Sequence, residues 1–186
     1  SGAATSKESA AFCADLVRTH DFARYASTLF LTQVQRRALL SVYAFNVEIS
    51  RVREQVSQPL PGEMRLQWWT DMLEGSGHGG IEGNPLSRLI EEHQFDLYND
   101  PMPSMAALEG YVTETSAALF SLGARIVTPP SAVTDHLARH AGLAQGIAQV
   151  IAALPLDAAR RQLFLPLQLL QQHGSGIEEV FSGKPT

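Results

Sequence analysis

The chain has a single cysteine, Cys13, in 186 residues. A lone thiol excludes an internal disulfide framework and a zinc site made of cysteines alone. Positive charge is also scarce: 14 Lys and Arg stand against 19 Asp and Glu, for a formal net charge of -5. A dedicated nucleic-acid binder would carry a basic face, so no nucleic-acid partner is expected. No run of about 18 or more apolar residues occurs, so no transmembrane helix is expected. The N-terminus is polar and has no apolar signal-peptide stretch. Segments of alternating polarity, internal repeats and low-complexity tracts are missing, as are a nucleophile elbow, a P-loop and a legible Ser-His-Asp set.

What is present is a chain 45% hydrophobic and 18% charged. That balance suits one globular domain, residues 1–186, with a sizeable core. Charge is uneven along it. From Thr32 to Thr70 arginine outweighs acid, whereas from Asp71 to Asp157 acids far outnumber Arg88, Arg125 and Arg139. The acidic stretch reads as a solvated surface or as a docking face for a basic partner.

The periodicity is helical almost throughout. Leu39, Val42, Phe45, Ile49, Val52 and Val56 make one stripe in a helix over Thr32–Ser57, closed by Pro59 and Pro61 with Gly62 in the turn. A shorter helix, Glu63–Glu74, is apolar on more than one side and is expected to be well buried. Gly75–Asn84 is a loop, and its His78 reads as solvated. Pro85 restarts a helix. Ser104 caps a long one ending at Pro129-Pro130, Ser131 caps another running to Pro155, and the last spans Pro166–His173. Short links between long helices imply an all-α bundle of mostly antiparallel neighbours.

Two helices carry candidate chemistry. Off the core stripe of the first, Tyr43, Asn46, Ser50, Arg53 and Glu54 share about three turns. They face water or line a cavity. On the helix after Ser131, Gln145 and Gln149 are spaced i, i+4 and share a face, amid alanines and glycines that allow close backbone approach. His136 and His140 have the same spacing without a further ligand, a weak metal signal. Arg160-Arg161 could hold a phosphate, or cap carbonyls and pair with an acid.

ASTLFLTQVQRRALLSVYAFNVEISRVRE (residues 26–54) and GLAQGIAQVIAALPLDAARRQLFLPLQLLQQHG (residues 142–174) resemble the two signatures of the squalene/phytoene synthase family. LQWWTDMLEG and FDLYNDPMPSMAALEGY are similar to the segments between them. The resemblance covers the chain from about Asp21 onward. It implies an all-α isoprenoid synthase fold. Active members join two prenyl diphosphates head to head, with Mg²⁺ ions held by Asp-rich motifs on facing helices.

The motif positions depart from that pattern. The first Asp-Asp-x-x-Asp set falls on Ser50, Arg51 and Glu54, and the second, Asp-x-x-x-Asp, on Ala153 and Asp157. Glu54 and Asp157 are thus the two surviving carboxylates. The pattern is closest to a branch of the family implicated in assembly of respiratory complex I. The resemblance therefore implies a degenerate, non-catalytic member that needs no cofactor and acts in respiratory complex assembly, or binds a prenyl lipid, a prenyl diphosphate or a protein client. Tyr43, Asn46, Ser50, Arg53, Gln145 and Gln149 would line its cavity. Such a protein would sit in the cytoplasm or peripherally on the inner membrane of a bacterium, or on the matrix side of a mitochondrion. The alternative is a Mg²⁺-dependent prenyl diphosphate transferase with Glu54 and Asp157 as metal ligands, assisted by Glu48, Arg53 or Arg160. A third reading is a helical interaction module using the acidic surface. Relative to the family, a segment near residues 90–91 and the C-terminal helices are expected to be missing.

Overall fold

The structure is a computed structural model, which describes residues 2–75 and 84–183. His78 and most of the expected glycine-rich loop lie outside the described residues. Among the described residues the regular elements are all helical, in keeping with the all-α expectation.

Periodicity alone predicts no helix before Thr32, yet two are present: α1 (Gly2–His20) and α2 (Phe22–Ser27). Their apolar stripe is short. Val17 is fully buried against Leu40 and Ala44, flanked by Cys13, Leu16, Tyr25 and Tyr43. Asp21 caps α2, its carboxylate accepting from the Arg24 backbone N–H. A 3-10 turn, Thr28–Phe30, leads to α3 (Gln33–Ser50). Thr32 and Gln35 close a reciprocal capping box at its start.

The expected continuous helix to Ser57 is interrupted. α3 stops at Ser50, whose hydroxyl donates to the Val47 carbonyl at 3.3 Å, and the chain turns at Arg51 before α4 (Val52–Gln55). Such local hydroxyl bonds compete with helix propagation. Pro59 and Pro61 open the next helix, α5 (Pro59–Gly75), instead of closing the last. The first helical turn has no use for its N–H groups, so proline is tolerated there. Gly62 therefore lies inside a helix, against Leu97, and not in a turn. α5 is also less buried than expected: Leu66 is enclosed, while Leu60, Met64, Trp68 and Met72 are exposed along one side.

Asn84 caps α6 (Pro85–His93), which runs into a 3-10 turn, Gln94–Leu97. Ser104 caps α7 (Met105–Val112), its hydroxyl accepting from Ala107 N–H. The expected long helix then widens into one π turn, Thr113–Ala117, before α8 (Ala118–Val127). Ser131 caps α9 (Ala132–Ala159) through a second capping box. This helix does not end at Pro155 but carries it internally, stopping at Arg160 and at Arg161, whose φ is 57°. With 28 residues, α9 is long and apolar enough by length and composition to cross a membrane, although polar residues interrupt its apolar sequence. Here it packs along α7, the π turn and α8. α10 (Leu167–Gln172) and a further short helix, α11 (Ile177–Ser182), complete the chain.

Three apolar clusters hold the helices together. Ile49, Val52, Leu66, Leu89, Ile90, Leu97 and Leu119 join α3 to α6 and α8. Met102, Leu108 and Val112 receive Leu143, Val150 and Phe164. The third is the α1–α3 cluster above. α9 comes very close to the π turn. A Cβ built on Gly142 would lie 2.3 Å from Ala117 Cα, and one on Gly146 would lie 2.4 Å from Val112 Cγ1. Gly142→Ala is therefore expected to cost about 1–3 kcal/mol of stability by overpacking against backbone. Gly110→Ala on α7, which meets nothing within 4 Å, should instead raise stability by up to about 1 kcal/mol. Urea unfolding of both variants checks the pair.

Candidate ligand-binding cavity

The C-terminal ends of α3 and α9 lie on either side of a cavity of about 360 Å³. α3 contributes Asn46 and Ser50; the turn and α4 contribute Arg51, Arg53 and Glu54. α9 supplies Gln149, Val150, Ala153 and Asp157 from successive turns, followed by Arg160. The start of α2 adds Asp21 and Arg24. The floor is made of His93, Asp96, Tyr111, Thr115 and Phe164. Asn46, placed on the side opposite the core stripe, is buried.

Six of the eight singled-out residues, Asn46, Ser50, Arg53, Glu54, Gln149 and Asp157, thus meet at this cavity. Tyr43 and Gln145 stand beside it, joined through one side chain. The Arg24 guanidinium lies 5.8 Å from the Tyr43 ring centroid and donates to Gln145 Oε1 at 3.2 Å. It also pairs with Asp21 at 2.6 Å, while Gln145 donates to Gln149 at 3.2 Å. The two glutamines act as the shared face expected of their spacing.

The charges are mostly satisfied by one another. Glu54 lies 3.6 Å from Arg51 Nε and 3.5 Å from Arg160 Nη1. Arg161 pairs instead with Glu178 of α11 at 2.6 Å. The double arginine thus pairs with acids, one of the two roles its sequence allowed. Arg53 Nε is buried without a hydrogen-bond partner.

A second network was not legible in the sequence. The Asp96 carboxylate is 2.6 Å from His93 Nδ1 and accepts from the Tyr111 hydroxyl at 2.6 Å. Gln162 Nε2 donates to the Asp96 carbonyl at 3.0 Å. Burial, and then the Asp96 charge and hydrogen bond, hold the Tyr111 phenol well above its ordinary range. His93 Nε2 is buried and has no partner. Its other nitrogen is fixed by Asp96, so the ring is oriented for whatever the cavity receives. The i, i+3 pair His93–Asp96 and the distant Tyr111 carry no recognisable spacing, which is why sequence inspection misses them.

Mg²⁺, which the fold implies, does not fit this donor set. Two guanidinium groups hold Glu54 where a cation-binding carboxylate would have to be free, and among the described residues no group of three or more His, Cys, Asp or Glu is placed to hold a metal. His136 and His140, ring centroids 4.4 Å apart on the exposed side of α9, gain no third ligand there.

Burial pushes the Asp157 carboxyl from 3.8 up to about 6, opposed by Arg160 and reinforced by Asp96. Between those two values the folded chain binds a proton more readily than the unfolded chain. Its contribution to stability therefore falls as pH rises through that window, and the full cost is present above it. Asp157→Asn should raise Tm by about 2–4 °C at pH 7.5 and leave it unchanged near pH 4, a difference that calorimetric melts would register.

The squalene/phytoene synthase model matches residues 17–88 and 76–186. The chain is 30% identical, over 90% of its length and 56% of the relative's, to NADH dehydrogenase (ubiquinone) complex I, assembly factor 6, of Mus musculus. The Homo sapiens protein of that name is 28% identical over the same shares. Chloroplastic phytoene synthase 1 of Arabidopsis thaliana is 26% identical, over 94% of the chain and 46% of the relative. The chain spans about half the length of the curated relatives it matches. With both halves of its sequence matched and an all-helical bundle around the cavity, the chain belongs to the squalene/phytoene synthase family.

Proposed function

We propose that this chain is a non-catalytic member of its family that acts in the assembly of respiratory complex I, working peripherally at the inner membrane. The observation that carries this reading is the engagement of Glu54 by Arg51 and Arg160. An internal cation bridge stands where the family's first motif would present carboxylates to metal. Ser50, Arg51 and Ala153 supply no carboxylate at the other motif positions. The names of the relatives supply the client: a respiratory complex I protein.

The cavity is kept for binding. A prenyl lipid or prenyl diphosphate suits it, with Val112, Leu119, Val150 and Phe164 for the apolar part and Arg53 for the head. The partnerless Arg53 Nε is a donor that an anionic head would satisfy without metal, and the partnerless His93 Nε2 is a second polar atom open to the ligand.

One observation favours the second reading, a Mg²⁺-dependent transferase. Glu54 and Asp157 do line the same cavity. That chemistry requires the Arg160 bridge to open and an ion to take its place.

Titration calorimetry with a long-chain prenyl diphosphate separates the two. Binding in Mg²⁺ and in chelator should agree within about two-fold. A gain of about ten-fold with Mg²⁺, accompanied by condensation product, transfers the case to the transferase. For the assembly role, deleting the coding sequence in its host should lower assembled complex I. Re-expressed wild-type and Asp157→Asn chains should both restore it. Unchanged complex I after deletion would refute the assembly role.

A further inference from the structure

The end of the bundle opposite the cavity combines exposed apolar side chains with a local excess of positive charge. Leu29 and Phe30 of the 3-10 turn and Val34 at the start of α3 are 54%, 92% and 80% exposed. Gln35 Nε2 donates to the Val127 carbonyl at 3.3 Å, which brings the α8–α9 link to the same end. There Val127 is 42% and Val133 76% exposed. Five exposed apolar side chains thus project from this one end.

The charge at this end is also reversed. Residues 22–47 and 115–134 contain no Asp or Glu, although the chain as a whole has a net charge of -5. They carry Arg24, Arg36, Arg37 and Arg125. Arg24 belongs to the cavity, and Arg36 is held inward by Thr28 and the Tyr25 ring. Arg37 and Arg125 are exposed. Arg37 donates to the Ser6 hydroxyl at 2.9 Å, so Lys7 joins the same rim. The acids nearest in sequence to Lys7, Arg37 and Arg125 are Glu8 on α1, Glu48 towards the far end of α3 and Asp135 in the first turn of α9.

An apolar tip ringed by cations has three candidate partners. A second copy would set the same arginines against each other. A protein with a preformed pocket would need a defined knob, whereas a side chain 92% exposed has almost no neighbouring wall to fix it. A deformable, negatively charged and apolar partner meets both features. We propose that this end docks on an anionic lipid bilayer, with Leu29, Phe30 and Val34 entering the boundary between headgroups and acyl chains and with Lys7, Arg37 and Arg125 on the phosphates. The inference rests on this surface and is independent of what the cavity binds. The cavity lies at the other end of α3, about 24 Å from Val34 at 1.5 Å per residue.

Flotation of the full chain with vesicles tests it. Binding to vesicles of equal phosphatidylcholine and phosphatidylglycerol should exceed binding to phosphatidylcholine alone by about ten-fold or more, and should weaken with salt. F30S/V34S and R37E/R125E should each lower anionic-vesicle binding by about ten-fold, with melting curves showing that the fold persists. M64S/M72S removes exposed apolar side chains from α5 instead and should bind as the wild type does. The proposal is overturned by a wild-type chain indifferent to anionic vesicles, by F30S/V34S binding at the wild-type level, or by M64S/M72S losing binding in its place. Sedimentation showing a dimer that F30S/V34S dissociates would overturn it too, by assigning the tip to a second copy.

Discussion

The backbone contact between α9 and the π turn sets the rest of the structure. Gly142 and Gly146 let α9 approach until a single methyl group would collide with Ala117 or Val112. That approach fixes the height and rotation of α9 against α7 and α8, and with them the directions of Gln149, Ala153 and Asp157. The extra residue of the π turn shifts the register of the facing helix by a fraction of a turn. Thr115 is thereby buried, its hydroxyl donating to the Tyr111 carbonyl at 2.8 Å. Single π turns inside α-helices are frequent at functional sites. Here the turn lies between Tyr111 on the floor and Leu119 in the largest apolar cluster.

Most of the charges around the cavity are paired with one another, Arg53 excepted. Asp21 answers Arg24, Arg51 and Arg160 answer Glu54, and Asp96 is hydrogen-bonded to His93 and Tyr111. Burying charge is expensive unless each group is paired. Replacing motif carboxylates by Ser50, Arg51 and Ala153 would leave an acid-poor cleft, and the neighbouring arginines fold onto the acids that remain. Asp157 is the exception. It has Arg160 nearby, but burial still dominates and Asp96 adds repulsion, so the group holds its proton more tightly than a carboxylate in water.

Helix starts were the most legible part of the sequence, because Thr32, Ser104 and Ser131 carry their capping chemistry in their own side chains. Ends were less so. Pro59 and Pro61 open a helix, because proline reports only a missing N–H and a clash, both of which a first turn tolerates, and Pro155 lies inside the last turns of α9 without ending it. α1 and α2 were not legible because a helix that buries one Val and a few small residues leaves a faint stripe. The shared face of Asn46, Ser50, Arg53 and Glu54 followed from helical spacing alone. That Arg24 would cover Tyr43 and hold Gln145, or that His93, Asp96 and Tyr111 would meet, depends on how five separate helices and a 3-10 turn pack. No spacing within one helix encodes that.

The division of the core into three clusters bears on how the molecule breathes. Val17, Leu40 and Ala44 form a patch separate from the two clusters that hold α6 to α9. A helix anchored by so few enclosed atoms is released at a lower free energy than the remainder, as a separate unit of local unfolding. Because His20, Asp21 and Arg24 follow directly from α1 and form one wall of the cavity, its excursions would lift that wall. Amide exchange along α1 would therefore report local opening that also exposes the cavity wall to solvent.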